Sequence, residues 1–461
     1  MLDLKIVNGR IPVFETGELK VSDIGIKDGR IVCVGACEES AREVIDAGGK
    51  VVAPGFIDIH MHEEVLADGA NGDEYDIANR MLLMGATTCV AGNCGNNRQS
   101  VDEFFSHIDK NGSPVNYLSF IGHNFLRRSV GNDDPYRRST EQEIKKMQDL
   151  AIKAVDKGAI GLSFGLEYCP GIDFEEAVEL CEPFKGTDII LSAHYRKDAE
   201  YAITSVKELI DMTRVTGVPM IISHLGSCTA YGMMKESLEV IQGAIDEGLD
   251  VCADCYPYDA FSTFIGSAVF DEGCFELWNK SYDAILLTEE PYRGMRCDEE
   301  LFRRVRKEYP EMLVVAFVMN EDEVIEAIKA PFVMVASDGL YRKGQGHPRG
   351  AGTFPRVLGR FVRDMGELTL VEALKKMTLM PAARLGLKGK GRIAEGADAD
   401  IVVFDPEVII DGATFESPVE APKGIDYVIL NGKIAVKDNV ILRNRLGKVI
   451  RRQELVKEGN E

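Results

Sequence analysis

From residue 54 to residue 389 the chain repeats one grain: a short apolar run, a turn, then an amphipathic helical stretch. The candidate strands are 51–59, 87–93, 115–122, 159–165, 188–193, 219–223, 249–255 and 331–337. Helical stretches such as TEQEIKKMQDLAIKAVDKG and MKESLEVIQGAIDEG follow most of them, with apolar residues at three- and four-residue steps and a closing glycine. Strands that alternate with helices pair in parallel, and eight of them close as a (β/α)8 barrel, the α/β fold expected here. The interval between the seventh and eighth strands is too long for one helix. Residues of about 266–330 are therefore expected to form an excursion that overhangs the mouth as a lid.

Both ends of the chain have a different grain. Residues 1–53 and 390–461 read as short alternating strands around turn dipeptides, with Asn8-Gly9, Asp28-Gly29 and Asn431-Gly432 as hairpin signals. A small β-sandwich built from both termini, with the barrel of residues 54–389 inserted between its halves, accounts for the pattern. The charged tail RRQELVKEGNE is expected to fray.

A net charge of −22 sets the whole-chain field against phosphate, which argues against nucleic acid or an anionic membrane surface as partner. No stretch approaches the ~18 uninterrupted apolar residues of a membrane span, and the N-terminus lacks a basic segment followed by an apolar one. The eleven cysteines, without framework spacing, suit a reducing compartment, so a cytoplasmic protein is expected. Cys89, Cys181 and Cys252 read as buried small apolar residues.

Residues that bind transition metals stand at the ends of the predicted strands: His60 and His62 in GFIDIHMH, Cys94 in TTCVAGNCG, His194 in IILSAHYR and His224 in MIISHLG, with Asp338 in FVMVASDG. His60 and His62 are two apart on a strand, so both point to one face. By spacing alone they fit two solvated histidines equally well. Four of the seven histidines, however, fall at the ends of strands one, five and six, where barrel active sites lie. His107 reads as a helix-surface residue and His123 as one without an obvious partner. Asp58, one layer below His60, is expected to hydrogen-bond an imidazole and fix its tautomer.

Imidazole, thiolate and carboxylate together suit zinc, and ligands from separate strands suit a catalytic rather than a structural site. An aspartate before a glycine is by itself a turn signal. Beside a metal, Asp338 gains a role as the base that takes a proton from water and passes it to a leaving nitrogen.

The ordered blocks VVAPGFIDIHMH, ATTCVAGNCG, GAIGLSFGLEYCPG, ISHLG, DVCADCYPYDAFST, ASDG, GHPRGAGTFPRVLGRFVR, KKMTLMPAARLGL and GRIAEGADADIVVFD span nearly the whole chain. In them the sequence resembles the amidohydrolase superfamily and, within it, the N-acyl-D-amino-acid deacylases (D-aminoacylases). The resemblance implies a tight zinc site on Cys94, His194 and His224, with His60, His62 and Asp338 at a second, weaker or empty position. It implies that Arg349 and Tyr256 hold the substrate carboxylate, with Tyr258 as a competitor for the tyrosine's role. Two departures stand out. The lysine common two positions after the sixth-strand histidine is replaced by Gly226, and Tyr195 replaces the usual methionine. The carboxylate would then lean on Arg349, with Arg196 as a further cation.

The leading expectation is hydrolysis of the N-acyl bond of a small N-acyl-D-amino acid, with handedness carried by the resemblance alone. A cyclic-amide (hydantoinase-like) hydrolase would be marked by a bridging carboxylated lysine at strand four, and GLSFGLEYCPG offers none. A non-catalytic scaffold of the same fold is the third reading. The sequence does not speak to oligomeric state.

Overall fold

In the computed structural model, residues 1–64, 66 and 75–457 are described. Six parallel strands form one sheet in the order Val333–Val335, Val251–Cys255, Met220–Ile222, Ile190–His194, Gly161–Gly165 and Ile121–Gly122. Three more, Phe56–Asp58, Ala86–Ala91 and Asn116–Ser119, form a second parallel sheet. Phe120 alone separates Asn116–Ser119 from Ile121–Gly122, so one chain segment links the two sheets. At the other margin, Met61 bridges Gly339 in parallel, Asp338 N donates to His60 O at 2.8 Å, and His62 N donates to Gly339 O at 3.1 Å. The neighbour order therefore runs through the strands in sequence and returns from the last to the first.

The helices lie where the apolar periodicity places them. Glu141–Asp156 starts at a capping box, in which the Thr140 side chain takes the Glu143 N–H and the Glu143 carboxylate returns to Thr140 N. It buries Ile144, Met147, Ala151 and Val155 on one stripe. Met234–Asp246 lacks a side-chain cap but buries a similar stripe of Met234, Ser237, Ile241 and Ala244. Among the described residues no helix is long and apolar enough to cross a membrane.

The two ends of the chain meet in one nine-stranded sheet. The C-terminal strands Val440–Ile441, Lys433–Lys437, Ile425–Leu430 and Ile401–Phe404 pair in that order, the last of them against Val51–Pro54. The N-terminal strands Leu2–Val13, Glu18–Lys27 and Arg30–Gly35 continue from there, and Ala41–Asp46 also pairs with Leu2–Val13. Side chains from both ends, among them Ile6, Ile24, Val52, Ile401 and Ile429, share one apolar cluster. Asp400 ties this sheet to the parallel strands. Its Oδ2 takes Lys390 Nζ at 2.5 Å and Asn116 Nδ2 at 3.1 Å, while Oδ1 takes Asn431 N at 2.7 Å.

Several sequence expectations are corrected. The expected strand 51–59 is two strands: Val51–Pro54 belongs to the terminal sheet and Phe56–Asp58 to the parallel set, with Gly55 as the joint. A Cβ at Gly55 would stand 2.2 Å from Thr87 Oγ1, which only glycine avoids. Asp28-Gly29 and Asn431-Gly432 do turn hairpins, but Asn8-Gly9 lies inside the strand Leu2–Val13. There the register with Glu18–Lys27 shifts between Ile6 and Gly9, so the positive φ of 57° at Asn8 serves a bulge.

The excursion begins earlier than expected. It contains its own antiparallel sheet of Phe261–Phe264, Leu313–Ala316 and Ile285–Leu287. The helix Glu321–Lys329, which packs on Met234–Asp246 and Val333–Val335, returns the chain to the eighth strand. The tail is ordered as the helix Arg452–Lys457, where Arg452 N donates to Gly158 O, and only residues 458–461 of the expected frayed segment lie outside the described residues. Cys33 and Cys37, four residues apart with Cα atoms 6.0 Å from one another, form a disulfide, while the other nine cysteines are free. Cys89 and Cys181 are buried and Cys252 is partly so.

His123 has a partner after all, Glu176 Oε1 at 3.2 Å. That carboxylate also takes Arg127 Nη1 at 2.5 Å and both Ser139 N and Oγ, all of them buried. Burial pushes the Glu176 carboxyl up, but hydrogen bonds from His123 and Ser139 bring it down to about 2. A depressed folded-state pKa stabilises above the usual value of 4.5 and loses that contribution as pH falls towards 2. Glu176→Gln should strand the Arg127 charge and cost about 3–5 kcal/mol. Urea titration at neutral pH checks this, and a loss within 0.5 kcal/mol, by order of magnitude, would refute it.

Candidate active site

The ends of the first, second, fifth, sixth and eighth parallel strands turn inward around one point. Two groups able to hold a metal ion meet there: His60, His62, Cys94 and Asp338 in one, and Cys94, His194 and His224 in the other. Within each group one donor atom per residue lies within 4.8 Å of every other. Cys94 belongs to both, so its sulfur stands between two positions for a cation. All of these residues are buried except His62, which is partly exposed.

Each of three imidazoles is pinned through one nitrogen, which leaves the other free to face the centre. His60 Nδ1 donates to Asp254 Oδ2 at 3.1 Å, and its Nε2 lies 3.3 Å from Cys94 Sγ. His224 Nδ1 faces Ser227 Oγ at 2.7 Å, and its Nε2 lies 3.5 Å from Cys94 Sγ. Ser227 Oγ donates to His224 O at 3.0 Å and accepts from Tyr195 OH at 3.1 Å, so the network assigns the proton at His224 to Nδ1. His194 Nε2 donates to Glu167 Oε2 at 2.9 Å. His194 Nδ1, buried, has no hydrogen-bond partner, an orphaned lone pair beside a thiol and an imidazole. That atom fits a cation as its missing partner. Oriented, otherwise satisfied imidazoles around a sulfur are the donor set that zinc prefers.

The electrostatics agree. Burial alone would push the Cys94 thiol up, but His60 and His224 outweigh it and hold it well below the usual thiol range. Burial works against charge on His60, yet Asp254 and Cys94 raise it well above the usual imidazole value. His194 is raised to about 9 against its own burial by Cys94 and Glu167. Acidic groups thus call for positive charge at the centre, which a metal ion supplies without protons. The backbone is bent to the task as well. Cys94, His224 and Asp338 have φ of 52°, 34° and 50°, a region that non-glycine residues enter only when the surroundings impose it.

Asp338 joins two partners. Its Oδ1 takes His62 Nε2 at 3.0 Å, and its Oδ2 pairs with Arg349 Nη2 at 2.9 Å. Burial raises the Asp338 carboxyl, but Arg349 and His62 overcome this and keep it ionised, well below the ordinary range. Arg349 is itself buried, donates to Ser262 O at 3.1 Å and stacks 4.6 Å above the Tyr256 ring. Its Nε has no hydrogen-bond partner, and the residue lines an inner pocket together with Tyr168, His194, Ser227 and Tyr256. Tyr258 faces elsewhere: its OH donates to Asp411 Oδ2 at 3.2 Å, and Arg356 covers its ring.

Two expected roles are corrected. Asp58 does not touch an imidazole. It accepts His60 N at 3.2 Å, Ser337 N at 3.0 Å and Ser337 Oγ, which fastens the first strand to the eighth, and burial pushes its carboxyl up to about 6. Arg196 does not reach the site. Its guanidinium forks onto Glu208 at 2.7 and 2.8 Å and donates to Ile172 O at 2.6 Å, so its charge is already paired within the protein. A lysine at Gly226 would crowd its neighbours, since a Cβ would stand 3.1 Å from Cys255 Sγ and 3.2 Å from Met319 Cε and both would have to give by a few tenths of an ångström.

Three residues that sequence reasoning passed over complete the site: Asp254, Glu167 and Ser227. Asp254 also accepts His224 N at 2.8 Å, so one carboxylate serves both ligand groups. Its signal was a single charge inside the apolar strand VCADC. Glu167 stands at the end of the fourth strand, where a lysine was sought and not found. Asp254→Asn is expected to leave the fold intact and weaken zinc binding roughly 10- to 100-fold. Chelator competition measures this, and unchanged affinity would remove Asp254 from the site.

The model of the amidohydrolase family matches residues 43–170 and 301–436. The chain is 33% identical to the D-aminoacylase of Alcaligenes xylosoxydans xylosoxydans, over 94% of each chain. A solved D-aminoacylase, studied for its binuclear metal centre with one-metal activation and second-metal attenuation, superposes with a TM-score of 0.88 at 31% identity, covering 98% of this chain and all of that one. The N-acyl-D-glutamate deacylase of Bordetella bronchiseptica, solved with zinc and a phosphonate that mimics the tetrahedral intermediate, superposes with a TM-score of 0.86 at 31% identity over 98% and 99%. With its cysteine and imidazoles at strand ends, this chain belongs to the amidohydrolase family.

Proposed function

We propose that this chain is a zinc-dependent hydrolase of N-acyl-D-amino acids, releasing a carboxylate and a free D-amino acid. The observation that carries the reading is the convergence of Cys94, His194 and His224 on one point, with the buried His194 Nδ1 lacking a partner. The likeness to the D-aminoacylase and to the zinc-bound deacylase supports the reaction and the handedness. The eight parallel strands act as a closed (β/α)8 barrel over about residues 54–389, and the nine-stranded sheet of 1–53 and 390–461 acts as its β-sandwich companion. The substrate is a small molecule, and the compartment is the cytoplasm, supported by nine free thiols against the single Cys33–Cys37 disulfide among the described residues.

Cys94, His194 and His224 would hold the tight zinc, and His60, His62 and Asp338, sharing Cys94, a second and weaker ion. When bound, the metal supplies Lewis acidity toward the acyl oxygen and the attacking water. The residues do the rest. Asp338 takes the proton of the water at Oδ1 and delivers it to the leaving nitrogen, its carboxylate kept charged by Arg349. Arg349 and Tyr256 hold the substrate carboxylate at the wall of the inner pocket, with the guanidinium shared between Asp338 and the ligand. The aromatic walls of Tyr168 and Phe261 exclude water around the scissile bond. The cyclic-amide reading has no bridging lysine to rest on, because Glu167 at the end of the fourth strand is spent on His194.

Asp338→Asn should retain zinc and lose kcat by roughly 10²- to 10⁴-fold on N-acetyl-D-amino acids, with metal analysis run beside the kinetics. Full activity in that variant would place the base elsewhere. Cys94→Ala is expected to lower the zinc content sharply, and an unaltered stoichiometry would return Cys94 to a packing role. Arg349→Ala should raise KM more than it lowers kcat, and an unaltered KM would dismiss the carboxylate contact.

A further inference from the structure

Outward from Asp338 the site opens into a cleft of about 500 Å³, and two cations on its wall lack an acidic partner. Arg98 and Arg128 line it, both exposed, and neither forms an ion pair among the described residues. In a chain with 75 acidic and 53 basic residues, a pair of unclaimed arginines beside a reaction centre calls for a reason. Both are oriented. Arg98 N donates to Glu63 Oε2 at 2.7 Å and its guanidinium lies 6.0 Å from the Phe264 ring, while Arg128 Nη1 donates to Asn96 Oδ1 at 3.2 Å. Partial desolvation depresses the Arg128 pKa and the like charge of Arg98 adds to this, although Cys169 and Asp133 act the other way.

Most of the other charged groups of the wall are engaged. Arg127 is committed to Glu176, Ser139 and two carbonyls. Glu63 takes Asn97, Gln99 and the Arg98 backbone, and Glu311 pairs with Arg342. Asp134 accepts Tyr136 N. Asp133 attracts Arg128 without reaching ion-pair distance. Two guanidinium groups held near one another repel, and a carboxylate between them relieves the repulsion through charge-assisted hydrogen bonds.

Resting on the deacylase reading, we propose that Arg98 and Arg128 form an anion subsite for a second carboxylate of the substrate. The preferred substrates are then N-acyl-D-amino acids that carry a further acidic group, on the side chain or on the acyl chain. The inner pocket beneath Arg349 takes the first carboxylate, and the outer cleft takes the second.

The test uses the zinc-loaded enzyme and reads kcat/KM. It compares N-acetyl-D-glutamate with the uncharged isostere N-acetyl-D-glutamine, and N-succinyl-D-leucine with N-butyryl-D-leucine. Wild type, Arg98→Gln and Arg128→Gln are measured in parallel. The acid is expected to be favoured roughly tenfold in one of the pairs, and that pair locates the second carboxylate. Each substitution should reduce the preference to about twofold, mainly through KM, as expected when one exposed charge contact is lost. A ratio near one in both pairs, or a preference that survives both substitutions, overturns the subsite. Turnover of the neutral substrates without acid preference sinks the subsite alone, whereas no turnover of any of the four sinks the deacylase reading with it.

Discussion

The site depends on the seam between the first and eighth parallel strands. Asp58 is fully buried there, and burying a carboxylate is unfavourable unless its oxygens are satisfied. It takes the backbone N–H of His60 and of Ser337 and the Ser337 hydroxyl, three donors from the two strands that must be neighbours. With that seam closed, Asp338 N reaches His60 O, and the His60–His62 pair stands beside Asp338. If the two strands were apart, the chain would hold a pair of histidines at one margin and an aspartate at the other. The histidine pair and Asp338 stand together because one buried acid joins their strands.

Above the seam, a second layer of hydrogen-bond partners gives side chains that are free to rotate one orientation. Asp254, Glu167 and Ser227 each take one imidazole, and Tyr195 reaches Ser227 from the side. Preorganisation of this kind carries a backbone cost. Left-handed φ at Cys94, His224 and Asp338 costs of order 1–3 kcal/mol each, and persists because the surrounding strands over-determine it. The layout separates tasks: the scaffold absorbs the strain, and the donor atoms meet a substrate already in place.

Much of this was legible in the sequence, because strand ends and ligand types are local signals. An apolar run followed by histidine or cysteine marks the position, and the alternation with helices places those ends on one face. What stayed hidden depends on partners that are distant along the chain. Asp254 lies 194 residues from His60, and the apolar periodicity of VCADC does not say which acid turns inward. Arg196 follows His194 by two residues and looked free, but Glu208 on the next helix claims it. Asn8-Gly9 has the residues of a hairpin and makes a bulge, because Val52 packs against Gly9 and the strand runs on. Residue type was readable at each of these positions, and allegiance was not.

The nine-stranded sheet has a consequence for the chain during its synthesis. Val51–Pro54 is flanked on one side by Leu2–Val13 and on the other by Ile401–Phe404, a partner nearly 350 residues later. While the ribosome works through the intervening segment, the amino-terminal strands keep an unpaired edge facing solvent. Such an edge invites other strands, and its exposure lasts about as long as translation of the central domain. Completion of this sheet, rather than assembly of the catalytic pocket, is thus the step that waits for the end of the message.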